Sequence, residues 1–144
     1  MQHNILLRTI IVMLLPFIFM FGLYVLFHGK VSPGGGFQGG AICASALILH
    51  ALIFGANETE KFFSQYLLRV IACIGAVIYV ATGFASLLMG GKYLEYNAFF
   101  QDAHLAQFVG VMTVELGVHL TVFASLSLIF LKLAEEEEPE EPLF

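Results

Sequence analysis

Four runs of apolar residues, separated by polar or glycine-rich breaks, dominate the chain: residues 9–27, 37–55, 70–89 and 108–131. Each is long enough to cross a hydrocarbon core about 30 Å thick, which takes roughly 20 helical residues. Inside a bilayer only segments that satisfy their own backbone hydrogen bonds survive, so runs of this length predict helices. The expected fold is therefore all-α: an integral membrane protein with about four transmembrane helices within residues 1–134. Pro16 interrupts the first run, which is tolerable where neighbouring helices satisfy the freed carbonyl. Arg8 precedes that run, but the run outlasts a signal-peptide core of about 7–15 residues and no Ala-x-Ala site follows it. It is expected to be a retained helix.

The breaks differ in character. Residues 28–36 are short and glycine-rich, residues 56–69 are polar, and residues 90–107 are longer. The last of these holds Tyr93, Tyr96, Phe99 and Phe100, which suit an interfacial aromatic belt. In a four-helix serpentine Arg8, Lys61, Arg69 and Lys132 fall on one side, and Lys30 and Lys92 on the other. That bias predicts cytoplasmic termini. Residues 135–144, rich in Glu with Pro139 and Pro142, have the composition of a solvated, disordered cytoplasmic tail.

Composition narrows the class. Of 144 residues 59% are hydrophobic and 12% charged, against about 25% charged in a soluble domain. The net charge of −5 misleads, because six of the eleven acids lie in the tail. Without it the body is near neutral and offers no basic face to nucleic acid. Cys43 and Cys73 both lie in apolar runs, which argues against a disulfide framework, and no CxxC-type metal spacing occurs.

The most distinctive string is Ser32-Pro33-Gly34-Gly35-Gly36-Phe37-Gln38-Gly39-Gly40. It is no P-loop, since no Lys-Ser or Lys-Thr follows the glycines. A turn and packing motif fits the spacing better. Consecutive glycines permit a tight reversal with positive φ, Pro33 stiffens the entry, and Ser32 could cap the helix start. Gly36, Gly39 and Gly40 leave one helical face bare, so that another transmembrane helix can approach backbone to backbone.

Glu115 and His119 are four residues apart in the last run, on one helical face and within reach of a direct or water-mediated hydrogen bond. A charged acid near a bilayer centre costs about 2.5–3.5 kcal/mol on insertion scales, so Glu115 should face protein or water. Two uses stay open: a proton- or ion-handling group, or an anchor bonded to a neighbouring helix. His119 could share a proton with Glu115 or simply bond across helices. His50, near the end of the second run, is expected to be solvated at the interface. No metal-ligand spacing and no Ser/His/Asp arrangement is present, so neither an enzyme nor a bound cofactor or metal is expected.

The segment Phe27-His28-Gly29-Lys30-Val31 followed by the glycine string resembles the signature of the MnhB/MrpB family, the B subunits of multisubunit Na⁺/H⁺ (Mrp-type) antiporters. Relatives of these subunits occur inside membrane-bound hydrogenases and other respiratory complexes. Size, four-helix layout and acidic tail agree over nearly the whole chain, and Glu115-Leu116-Gly117-Val118 resembles the family's acidic-Leu-Gly-Val stretch. Lys30 stands where family members often have histidine, and His119 where an aromatic is common. The resemblance implies a small accessory subunit in a bacterial or archaeal cell membrane. Its partners would be the other membrane subunits of a hetero-oligomeric complex that moves Na⁺ and H⁺. In that setting Glu115 contributes to an ion path, or the same module serves a redox-driven complex or acts in assembly alone.

Overall fold

The computed structural model describes residues 3–29 and 34–137. Five helices follow in order: α1 (His3–His28), α2 (Gly36–Phe54), the short α3 (Ala56–Glu60), α4 (Gln65–Leu88) and α5 (Ala103–Glu137), with one 3-10 turn at Tyr96–Ala98. There is no strand among the described residues. Among the described residues four helices are long and apolar enough to cross a membrane: Ile5–His28, Gly36–Phe54, Gln65–Leu88 and Ala103–Glu135.

Helices α4 and α5 start ahead of their apolar runs, and side-chain caps show why. Ser64 accepts a hydrogen bond from the Leu67 N–H at 3.2 Å, so α4 starts five residues before the apolar run, with polar Gln65 and Arg69 in its first turns. At α5 the Asp102 carboxylate accepts from the His104 N–H at 2.9 Å. The other end of α5 runs through Glu135 to Glu137, into the segment read from composition as tail. There Glu135 pairs with Lys132 at 2.7 Å and accepts from the Gln65 amide at 3.2 Å. With 35 residues, α5 is about 50 Å long and outreaches a 30 Å core.

The four long helices stand in a row, α1–α2–α5–α4. Neighbours in the row pack extensively, α1 touches α5 only narrowly, and α4 has no substantial contact with α1 or α2. Small residues make the seams. Gly22 of α1 lies against Gly39 and Cys43 of α2, and the Cys43 thiol points at the Phe19 carbonyl, 3.6 Å away. Gly75 of α4 lies against Gly117 and Thr121 of α5, where the Thr121 hydroxyl reaches the Gly117 carbonyl at 2.9 Å. Many large apolar side chains point the other way, although Leu26, Leu68 and Leu131 are buried. Cys43, Ala44, Ala106 and Ala124 are fully buried, whereas Leu88 is 88% exposed and Phe17 67%. A water-soluble core would show the reverse; close seams of small residues with bulky residues outside are what a lipid surround favours.

Contacts set the directions. Arg8 meets Phe54 while Gly22 meets Gly39, so α1 and α2 are antiparallel. Gln65 meets Glu135 while Gly75 meets Gly117, so α4 and α5 are too. Gly36 and Gly40 meet Glu115 and His119 in the same order, which makes α2 and α5 parallel. His3, Glu137, α3 and the cations Arg8, Lys61, Arg69 and Lys132 therefore share one end of the row. Lys92 and the α1–α2 reversal lie at the other.

The loop between α4 and α5 is tied down rather than free. Tyr93 covers Gly83 and Tyr96 covers Gly110, each filling the space a side chain would take. Leu94 adopts φ 61°, and its N–H donates to the buried Ser86 hydroxyl at 2.9 Å. Leaving that amide unpaired should cost about 1–3 kcal/mol. We therefore expect Ser86→Ala to lower the thermal midpoint in detergent and to speed hydrogen exchange at the Leu94 amide. Unchanged exchange there would show that the bond does not hold the loop.

Candidate functional site

The glycine string and the acidic helix converge. Gly36 and Gly40 lie against the main-chain carbonyls of Glu115 and His119, so close that a Cβ at either glycine would collide with α5 backbone. Gly39 turns elsewhere, toward the Gly22 carbonyl and the His119 ring. The bare face expected from the sequence thus serves two helices of this same chain.

Gly35 is the N-cap of α2, with φ 127° and no side-chain cap. This conformation favours glycine because L side chains rarely adopt it. Ser32, expected as a cap, and Pro33, expected to stiffen the turn, lie outside the described residues; the cap position itself belongs to Gly35. Its N–H donates to the Val25 carbonyl at 3.3 Å, which draws the reversal onto the end of α1. Gly34 packs on the same Val25.

Into this reversal points Glu115. Helical side chains lean toward the helix N-terminus, which aims Glu115 of α5 at the reversal. Its Oε1 sits 3.3 Å from where a Cβ of Gly29 would be and 3.4 Å from one at Gly35. A side chain at either glycine would crowd the carboxyl, so the two glycines form a cradle for it. Its Oε2 is buried and has no hydrogen-bond partner among the described residues. The carboxyl lies beside the α2 N-terminus, whose free N–H groups make that end positive.

His119 sits one turn further along α5, 5% exposed. Its Nδ1 is buried without a hydrogen-bond partner among the described residues and faces Gly39. No direct hydrogen bond joins Glu115 to His119 among the described residues. The two share the α5 face toward α2, but the carboxyl leans to the reversal and the imidazole to the α1–α2 seam.

His50 behaves differently from expectation. The Thr59 hydroxyl donates to the Gly55 carbonyl at 3.0 Å, so it accepts from His50 Nδ1–H at 2.8 Å. The ring also stacks on Phe54, centroids 4.7 Å apart. His50 is held by protein because α3 folds back beside the end of α2. Gly22 and Gly29 are the contributors that sequence spacing missed. Gly29 stood beside the glycine string but outside the helical face, and Gly22 was a lone small residue in a bulky run.

No group of three or more His, Cys, Asp or Glu that could hold a metal ion occurs among the described residues. The Glu115 carboxyl thus lies unpartnered among the described residues, between Gly29 and Gly35, on a helix long and apolar enough to cross a membrane. Residues 6–128 match the model of a family described as a domain related to the MnhB subunit of Na⁺/H⁺ antiporters. The chain belongs to this MnhB-related family. Similar proteins include the B-type subunit of the Na⁺/H⁺ antiporter of Alkalihalophilus pseudofirmus, 33% identical over 139 residues, covering 94% of this chain and 96% of that one. Proteins named putative antiporter subunit mnhB2 are 32% identical in Staphylococcus epidermidis and 31% in Staphylococcus haemolyticus. Each alignment covers 92% of this chain and 96% of the relative. The MnhB-type chain is thus aligned with them along nearly its full length, with both glycine string and acidic helix inside the matched region.

Proposed function

We propose that this MnhB-type chain is a membrane subunit of a multisubunit Na⁺/H⁺ antiporter, and that Glu115 lies on the proton or sodium path of that assembly. The observation that carries the reading is the Glu115 carboxyl, buried at one oxygen, unpartnered among the described residues, and lodged between Gly29 and Gly35 at the N-terminus of α2. A carboxyl kept only as an anchor would be expected to spend its oxygens on hydrogen bonds, because an unsatisfied buried polar group destabilises. His119, one turn deeper, offers a second group able to exchange a proton.

The chain has no lysine or arginine inside its apolar runs, and Glu115 is their single acid. One acid is thin equipment for exchange, so the path would be completed by other subunits. In this reading both termini face the cytoplasm of a bacterial or archaeal cell, since the end holding Arg8, Lys61, Arg69 and Lys132 is the basic end.

Purification of the tagged chain in mild detergent tests the assembly. Antiporter subunits should accompany it; hydrogenase and iron–sulfur subunits in their place would assign it to a redox-driven complex. Glu115→Ala should leave that set of partners intact and impair exchange. Full exchange in the variant would remove the ion path and leave a role in assembly.

A further inference from the structure

An apolar cavity of about 490 Å³ opens between α1, the end of α2 and the α3 turn, bordered by Leu15, Pro16 and Met20 of α1, Ala46 and His50 of α2, and Phe62. It is open to the side: Met20 is 66% exposed and Phe62 71%. Of its polar groups, the Thr59 hydroxyl is held by His50 Nδ1, and the rest of the lining is apolar apart from the far edge of that imidazole.

A line of rings leads out of it to a cation. Phe62 lies edge-on to His50 at 5.9 Å, His50 stacks on Phe54, and the Arg8 guanidinium sits over the Phe54 ring at 5.4 Å. Arg8 has no carboxylate partner among the described residues, unlike Lys61 and Lys132, which pair with Glu58 and Glu135. Along α1 the cavity begins seven residues beyond Arg8 and ends twelve beyond it, or about 10–18 Å at 1.5 Å per residue. One leaflet of hydrocarbon is about 15 Å deep. The cavity thus lies where the chain of a lipid would run if its headgroup sat on Arg8.

We propose that the groove holds one acyl chain of an anionic phospholipid from the leaflet on the N-terminal side, with the lipid phosphate on Arg8. The occupant is set by charge and depth together. A guanidinium without a carboxylate at the interface selects a phosphate, and it can bind one through two parallel hydrogen bonds. The groove below is lined by apolar side chains and opens sideways. A crossing helix about 10–12 Å wide would fill a cavity of this size with a single turn, whereas a flexible chain fills it along its length. This site is separate from Glu115, so it stands or falls on lipid retention and not on exchange.

The test is native mass spectrometry of the intact complex carrying the full chain, titrated with phosphatidylglycerol or with phosphatidylcholine as the neutral control. We expect the wild type to retain phosphatidylglycerol about fivefold better than phosphatidylcholine, the factor one basic residue near an anionic surface supplies. Arg8→Gln should abolish the preference and Arg8→Lys should restore part of it. Met20→Trp, which projects bulk into the groove from an exposed position, should reduce retention of both lipids. Equal retention of the two lipids by the wild type would overturn the proposal. So would unchanged phosphatidylglycerol retention in Met20→Trp, or a partner helix cross-linking into the groove with no lipid retained.

Discussion

Gly36→Leu is expected to abolish recovery of the folded, assembled chain. A Cβ at this position would collide with the Glu115 carbonyl oxygen, and its next neighbours are the Glu115 carbonyl carbon at 2.9 Å and Cα at 3.0 Å. All three are backbone atoms of a continuous 35-residue helix, so no side chain can swing away to relieve the clash. Moving α2 outward would relieve the clash only by opening the close contact one turn on, where Gly40 lies against the His119 carbonyl. Overpacking of ordinary cores costs about 1–3 kcal/mol; with backbone on both sides the cost here should exceed that range. Between membrane helices, close packing is itself the main attraction, so opening the seam removes what holds α2 to α5. We expect Gly36→Ala to act in the same direction and Phe37→Leu to be tolerated, since Phe37 is 65% exposed. The measurement is the yield of assembled complex in mild detergent at equal expression. Normal yield from Gly36→Leu would show that the seam is not required.

Glu115→Gln should have the opposite signature: normal assembly and failing exchange. The amide keeps the shape of the carboxyl in the Gly29–Gly35 cradle but neither carries charge nor takes up a proton. Loss of a proton-transferring side chain costs catalysts ~10²–10⁴ in rate, so a fall in exchange of about tenfold or more is a conservative expectation. Glu115→Asp keeps the acid but withdraws it by one methylene from the two glycines, and intermediate exchange is expected. Dye-monitored proton movement in everted membrane vesicles checks the series. An anchoring role would give a different order, with Gln close to wild type and Asp worse, because geometry and not titration would matter.

Four spans could be read from apolar length alone, because a bilayer enforces that length and little else does. Their ends could not. Ser64 and Asp102 start helices in polar sequence that hydropathy passes over, and α5 continues into the glutamates that composition assigned to a tail. The order of the row was hidden as well. Nothing local in Gly36 and Gly40 says that their partner is α5 and not α1, since the choice depends on which backbone brings complementary gaps. The glycine string did mark a reversal and a close approach, because glycine alone tolerates a φ of 127° at Gly35. Glu115 and His119 were visible as polar residues in an apolar helix; that each would face a glycine instead of the other was not. Their i, i+4 spacing promised a shared face, and the face is shared, but the lean of the side chains sends the carboxyl into the reversal. His50 was misjudged because the polar residues 56–64 looked like a simple loop, when α3 folds back and brings Thr59 to the imidazole.

In the proposed role, a single carboxyl held between two glycines at the start of α2 takes part in moving ions through a larger assembly. The most direct test is Na⁺-driven proton movement by the purified complex in liposomes, with wild-type chain and with Glu115→Gln, at equal amounts of complex. The variant is expected to assemble with the same subunits and to exchange about tenfold or more slowly. Equal exchange by the two complexes would contradict this role and leave Glu115 as a strut between helices.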